Sequence, residues 1–500
     1  MNKHATTLKL AKKAWPDVVM PTRRDLFYDG QWQESKSGRT IEIYSPGTQE
    51  SLGHIAAANV EDVDAAVRAA HWAFPAWRKL APQERVAMVK QGAQVLRDRA
   101  SELGMLDAVD SGNPVRSMTT DVLWMANMAD YYAGLLTEVK GESFLTADGV
   151  VDFTLRQPYG VVGCIAAFNH PVMNTLGQVI PALLTGNTAV LKPSQYTSLA
   201  SLRIAELYAN IFPKGVFNVV TGAVECGQAL SSHPLTSLIT LIGSAPTARV
   251  VMRSMADRIK PGVMELGGKN AMVVYPDADP VKVAAGAVLG MSFTSTSGQS
   301  CMSNSRVFLH KDIYDATLAE IVKRVSELKC GDPRDPATQV GAMTSREQYR
   351  KVLDYIELGK QAGARVACGG GPPADKALAK GLFIEPTVLV DVTQDMRVAQ
   401  EEIFGPVMSV LRWEDEAIML KQVNSVELGL TGSVWTRDLA TAHRIAAEMQ
   451  AGYIWVNNSA IPLFGAPIGG YKQSGIGRVM CFEQLTEMTQ VKNVHIKLEA

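Results

Sequence analysis

Alternation at two residues and spacing at three to four divide the chain into predicted strands and helices. Leu26-Phe27-Tyr28 and Gln31-Trp32 flank Asp29-Gly30, a strong hairpin signal, and Ser45-Pro46-Gly47 turns a second strand pair. Asn59 is placed to cap a helix with Glu61 and Asp62 in its first turn and Val60, Val63, Val67 and Ala70 at helical spacing. Pro82 opens the next helix, and residues 115–136 predict a longer one. Between about residues 141 and 157 the period drops to two: Val151, Phe153 and Leu155 alternate with Asp152, Thr154 and Arg156. Near the C-terminus Val494, Ile496 and Leu498 alternate likewise with His495 and Lys497. Two such strands outside the main rhythm could be exposed edges, which subunit pairing is one way to cover.

From Gly160 the pattern reads β-α-β-α. Strands are predicted at 161–167, 188–192, 216–220, 237–242 and 263–266, separated by helical segments, which implies a doubly wound parallel sheet. Such sheets bind ligands beyond the carboxyl ends of their strands. The unusual residues fall there: Phe168-Asn169-His170-Pro171, Lys192-Pro193-Ser194-Gln195, Thr221-Gly222 and Gly243-Ser244. Ser244 suits a helix N-cap with Pro246 in the first turn, so that helix start can receive a phosphate. The G-x-G-x-x-G fingerprint of dinucleotide sites is absent. A second β-α region follows Lys269, with a strand at 271–275, a helix at 280–293, and alternating elements to about Arg444.

Composition narrows the classes. Five hundred residues with 47% apolar content exceed one hydrophobic core, so two or three domains are expected. Lys plus Arg number 49 against 50 Asp plus Glu, with no basic block, which argues against nucleic acid and anionic membranes as partners. No apolar run approaches the ~20 residues of a membrane span. Residues 1–20 read as a flexible extension rather than a signal or transit peptide. Six scattered cysteines without a C-x-x-C pair fit a reducing cytoplasm, and the eight histidines do not cluster at ligand spacing, so no metal site is expected.

The candidate chemistry centres on Gly298-Gln299-Ser300-Cys301, a thiol on a turn of small residues between an apolar helical run and Arg306-Val307-Phe308-Leu309. Free cysteines are usually buried packing residues. Here Ser295, Thr296, Ser297 and Ser300 leave the sulfur reachable, which suits a nucleophile. A nucleophilic Cys needs a lowered pKa or a nearby base, and Glu265-Leu266-Gly267-Gly268-Lys269 offers an acid beside two glycines. Asn169 has an alternative reading as a turn residue before His170-Pro171, and Glu265 as a solvated loop carboxylate.

Together with Glu401-Glu402-Ile403-Phe404-Gly405-Pro406, these separated motifs resemble the aldehyde dehydrogenase superfamily from about residue 26 to 498, in the family's order. The resemblance implies an α/β fold: a doubly wound cofactor-binding domain (20–140 and 158–266), a second α/β catalytic domain (267–480), and a small β oligomerisation arm (141–157 and 484–500). It implies oxidation of an aldehyde to the carboxylic acid, with Cys301 as nucleophile, Glu265 as the base that activates water, and Asn169 as donor to the oxyanion. For the cofactor it implies Lys192 and Gln195 near the adenosine ribose, Gly222, Gly243 and Ser244 along the nucleotide, Glu402 on the nicotinamide ribose, and Phe404 and Phe168 in the same crevice. NAD is the expected cofactor, with NADP also accepted because Gln195 stands where NAD-specific relatives often carry Glu. A homodimer or homotetramer is expected.

Several positions depart from the commoner pattern. His170 follows Asn169, Asn174 and Gly177 stand where bulkier residues often line the substrate tunnel, Ile468 precedes the double glycine, and Val479 replaces an acid. These point to a substrate bulkier or more polar than a short straight-chain aldehyde. The competing reading is a cofactor-independent thiol esterase or hydrolase using the same Cys301 and Glu265. Acyl transfer to coenzyme A is disfavoured, since it needs no water-activating carboxylate.

Overall fold

The structure, a computed structural model, describes residues 18–498. Residues 1–17, which hold most of the segment expected to be a flexible extension, lie outside the described residues. The local signals are met. Asp29 and Gly30 take the left-handed conformation (φ 53° and 68°) between Leu26–Tyr28 and Gln31–Gln33. Asn59 caps the helix Val60–Trp77: its side chain accepts from the Asp62 backbone, and the Asp62 carboxylate accepts from the Asn59 N–H.

Two α/β layers organise the described residues. The first sheet runs, in spatial order, Gln31–Gln33, Leu26–Tyr28, Phe217–Val219, Thr188–Lys192, Val161–Ile165, Thr236–Ile242, Gly262–Glu265 and Gly475–Ile476. Its five central strands are parallel and buried, as the β-α reading predicts. The sheet is mixed rather than purely parallel, because the N-terminal hairpin and Gly475–Ile476 add antiparallel strands at its two ends. The second sheet runs Arg365–Cys368, Thr387–Val390, Val407–Trp413, Arg306–His310, Ala271–Val274, Thr431–Trp435 and Tyr453–Val456, parallel except for its first strand. Separate apolar cores pack on both sheets.

The two alternating strands meet each other. Val150–Pro158 and Thr489–Lys497 pair antiparallel along their whole length, Phe153 opposite Val494, and Ser143–Ala147 completes a three-stranded arm. Each therefore covers one edge of the other, while Leu155, Val491, Ile496 and Leu498 stay exposed on the arm. The helix expected over 280–293 ends at Gly290. Ser292 then turns left-handed (φ 57°) and a short helix, Phe293–Thr296, leads to the Cys301 turn.

Candidate active site

The stretch from Leu266 to Asn270 joins the two sheets: it leaves the carboxyl end of Gly262–Glu265 and enters Ala271–Val274. Arg306 pairs beside Ala271, so the Cys301 turn that precedes it lies against Asn270. The Asn270 amide donates to the carbonyls of Cys301 (2.8 Å) and Ser303 (2.9 Å), and its Oδ1 accepts from the Thr431 N–H (3.0 Å). The glycines are needed for this approach. A β-carbon at Gly268 would lie 2.5 Å from the Cys301 carbonyl oxygen, and one at Gly267 would lie 2.1 Å from Glu402 Oε2. Gly298, left-handed at φ 73°, brings the same turn within 2.4 Å of the Gly405 carbonyl by the same measure. Glu402 accepts from the Gly268 N–H at 2.8 Å. The three motifs thus interlock through backbone contacts.

Asn169 follows the carboxyl end of Val161–Ile165. Its Nδ2 donates to the Gln299 carbonyl at 2.9 Å, its carbonyl accepts from Asn113 Nδ2 at 2.8 Å, and its Oδ1 accepts from Asn174 Nδ2 at 3.0 Å. Gln299, fully buried, is itself held by the Thr344 N–H and by the Thr296 and Ala342 carbonyls. Asn174, read from sequence as a polar group for the substrate, instead spends its amide on Asn169 and the Ala167 carbonyl. His170 is likewise engaged: its Nδ1 lies 2.6 Å from Asp121 Oδ2.

A cleft of about 370 Å³ brings together Phe168, Asn169, Lys192, Gln195, Gly243, Ser244, Glu265, Cys301, Glu402 and Phe404. Gly222 lies outside that wall. It is buried against Cys226, 2.7 Å from where its own β-carbon would sit, and Ala223 faces the cleft in its place. Ser244 caps the helix Ala245–Ala256 by accepting from the Thr247 N–H. Lys192 Nζ donates to the Pro193 carbonyl at 3.1 Å. Phe168 sits edge-on to both Phe404 (5.6 Å between centroids) and Tyr196 (6.4 Å), and Gln348 ties down the Ile403 and Phe404 carbonyls. Val224 and Val250 are exposed along the same wall.

Of the two alternatives open to a nucleophilic Cys, a lowered pKa or a nearby base, the electrostatics do not favour the first. Burial, then the Glu402 and Glu265 carboxylates, push the Cys301 thiol up to about 12, opposed by the backbone N–H groups of Cys301 and Met302. The thiol form therefore predominates in the free enzyme, and its proton must be lost before the sulfur can attack. Burial also raises the Glu265 carboxyl well above the ordinary range, with Arg478 opposing and Glu487 adding to the shift. Glu265 Oε1 is buried and has no hydrogen-bond partner. Lys269 is a fully buried cation whose Nζ has no partner, and burial lowers it to about 7.

The sequence model of the aldehyde dehydrogenase family matches residues 32–494. The chain belongs to the aldehyde dehydrogenase family. Among similar relatives, aldehyde dehydrogenase tropH of Talaromyces stipitatus is 44% identical over 490 residues, covering 96% of this chain and 95% of that protein. Betaine aldehyde dehydrogenase of Brucella anthropi is 38% identical, covering 94% and 97%. Among solved structures, PnpE from Pseudomonas sp. WBC-3, in a complex with nicotinamide adenine dinucleotide, superposes with a TM-score of 0.93 at 38% identity, covering 96% of this chain and 98% of PnpE. An NAD+ complex of the Bacillus cereus aldehyde dehydrogenase gives 0.92 at 35% identity, covering 95% and 97%. The aldehyde dehydrogenase fold accounts for the two sheets and the arm.

Within this family framework, sequence reasoning passed over the residues that hold the site together. Asn270 was visible in the motif beside Glu265, but its partners lie 31 and 33 residues away. Asn113 and Gln348 carry no local signal, because each acts on a backbone carbonyl distant in sequence.

Proposed function

We propose that this aldehyde dehydrogenase oxidises its substrate to the carboxylic acid through a covalent bond to Cys301, with NAD as hydride acceptor. The observation that carries the reading is the convergence of Cys301, Glu265 and Asn169 on one cleft with Lys192, Gln195, Ser244, Glu402 and Phe404. Cys301 Sγ adds to the aldehyde carbon once its proton has passed to solvent. Asn169 Nδ2 carries two hydrogens, of which Gln299 takes one, so the other is available to the developing oxyanion. Asn174 fixes which end of that amide faces the reacting carbonyl. After oxidation, the thioester on Cys301 is cleaved by water, and Glu265, with an unpartnered oxygen and a raised proton affinity, takes the proton from that water.

The cleft suits a dinucleotide. The Ser244-capped helix opens onto it, Glu402 is cradled against Gly267 where a β-carbon would collide, and exposed Val224 and Val250 offer an apolar surface. Lys192 and Gln195 would hold the adenosine ribose, Gly243 and Ser244 the phosphates, Glu402 the nicotinamide ribose, and Phe404 the ring. When bound, NAD supplies the hydride acceptor. The NAD complexes of the two similar structures support this choice, and the neutral Gln195 beside Lys192 supports acceptance of NADP as well.

The exposed apolar residues of the arm support assembly into a homodimer or homotetramer, and six free cysteines suit a reducing cytoplasm. Among the described residues no helix is long and apolar enough to cross a membrane. Purified protein given an aldehyde and NAD should yield carboxylic acid and reduced nicotinamide in equal amounts. Ester hydrolysis with no reduction of NAD by any aldehyde would instead favour the thiol-hydrolase reading.

A further inference from the structure

A second cavity, of about 350 Å³, lies against the Cys301 cleft and takes no part in the chemistry above. The two spaces share Gln195, Tyr196 and Ala223 as walls, so they meet beside the residue proposed to hold the adenosine ribose. The rest of the wall comes from distant parts of the chain. Tyr44 ends the strand Thr40–Tyr44, and Ser345, Arg346 and Glu347 begin the helix Arg346–Gln361. Ala223 brings only a methyl group to the shared boundary, which leaves room between the two spaces.

The charges in this wall are unevenly paired. Both carboxylates are taken by hydroxyl groups: Tyr196 donates to Glu347, and Tyr44 and Ser51 donate to Glu42. Arg346 is exposed and, among the described residues, forms no ion pair or hydrogen bond, although its charge reaches the Tyr44 phenol. Its position makes this informative, because the helix dipole disfavours a cation in the first turn. Ser345 caps the helix by accepting from the Gln348 N–H at 3.1 Å, which leaves the Arg346 and Glu347 N–H groups without an intrahelical partner. An anion in the cavity would answer both the guanidinium and these N–H groups. Lys192, the other cation near Gln195, is buried, and its Nζ already donates to the Pro193 carbonyl at 3.1 Å.

We propose that this cavity receives the 2′-phosphate of NADP and that Arg346 is the cation that pairs with it. The inference rests on the dehydrogenase reading above and adds to it a residue that sets the cofactor preference. A ribose held by Gln195 lies where the two spaces meet, so a phosphate on that ribose has the cavity to enter. A phosphate monoester carries close to two negative charges at neutral pH, more than Lys192 alone neutralises. Arg346 adds a planar fork of donors suited to two phosphate oxygens at once. With NAD the cavity holds only solvent and Arg346 stays hydrated, so the same site serves both cofactors.

The test uses the full-length protein and its Arg346→Ala, Arg346→Lys and Arg346→Glu variants. Calorimetry at low ionic strength compares adenosine 2′,5′-bisphosphate with adenosine 5′-monophosphate, which differ only in the 2′-phosphate. The ratio of the two Kd values is expected to move against the bisphosphate by ~10-fold in Arg346→Ala, the scale of one charge-assisted contact. Arg346→Glu should move it further and Arg346→Lys less. The ratio of kcat/KM with NADP to that with NAD, measured on benzaldehyde, should fall in the same order. Ratios that stay at the wild-type value in Arg346→Ala and Arg346→Glu overturn the site. Equal weakening of both adenosine ligands does so too, since Arg346 would then not read the 2′-phosphate. Inorganic phosphate that binds alongside saturating NAD, and is lost in Arg346→Ala, would make the cavity a site for a separate anion and equally overturn the assignment. Failure of every aldehyde to reduce either cofactor, with the bisphosphate pattern intact, would count against the dehydrogenase reading and not against this site.

Discussion

Asn174 Nδ2, near the start of the helix Pro171–Leu184, donates at 3.0 Å to Asn169 Oδ1, and the Asn169 amide itself donates to the Gln299 carbonyl. This bond removes the rotational ambiguity of the Asn169 amide and aims its N–H end. Asn169→Ala is expected to lower kcat/KM by ~10²–10³-fold, as loss of an oxyanion donor does. Asn174→Ala should cost about 10-fold, the scale of one hydrogen bond. The double variant should be no worse than Asn169→Ala alone. Additive losses in this double-mutant cycle would show that Asn174 acts independently.

Cys301 is held as a thiol by burial and by the Glu402 and Glu265 carboxylates, which push it up to about 12. Iodoacetamide should therefore alkylate the free enzyme slowly near neutral pH and faster as pH rises. Glu402→Gln removes a nearby negative charge and should speed alkylation at a fixed, mildly alkaline pH. An unchanged or slower rate would contradict the assigned cause. Cys301→Ala should abolish aldehyde oxidation while cofactor binding, measured by calorimetry, persists.

Glu265→Gln should release one rapid equivalent of reduced nicotinamide and then turn over slowly, because only thioester cleavage needs the carboxylate. Loss of the burst with cofactor still bound would remove Glu265 from water activation.

The same substitution carries a stability signature. Burial raises the folded-state pKa of Glu265, so folding favours its protonated form. That contribution is complete below the unfolded glutamate pKa and is lost as pH rises through the folded value. Glutamine does not titrate. The thermal midpoint of Glu265→Gln relative to wild type should accordingly climb with pH across that window, and a flat difference would contradict the burial of the charge.

Gln195 and Lys192 line the same cleft, at the end proposed above to hold the adenosine ribose. The neutral amide leaves Lys192 free to pair with a 2′-phosphate, so both cofactors should be used, NAD somewhat ahead. Gln195→Glu should depress kcat/KM with NADP selectively, by about 10-fold or more for a like charge placed beside the phosphate. An unchanged NADP-to-NAD ratio would take Gln195 out of the choice.

The sequence by itself determined the features whose causes are local. The Asp29-Gly30 hairpin, the Asn59 cap and the Ser244 cap depend on hydrogen bonds spanning two or three residues, and all three form as the residue types dictate. The buried parallel strands are equally legible, since a continuous apolar run between helices has few other uses. Tertiary structure decided the rest. It joined the two alternating strands into one arm, turned Gly222 away from the cleft and against Cys226, and committed the Asn174 amide to Asn169. It also raised the Cys301 thiol by burial and by two neighbouring carboxylates, where the sequence left a lowered pKa and a nearby base as open alternatives. Desolvation and close backbone approach are sums over neighbours brought from distant parts of the chain, as when Gly268 meets the Cys301 carbonyl and Gly267 meets Glu402. No local pattern encodes them, because they exist only once the two sheets have packed.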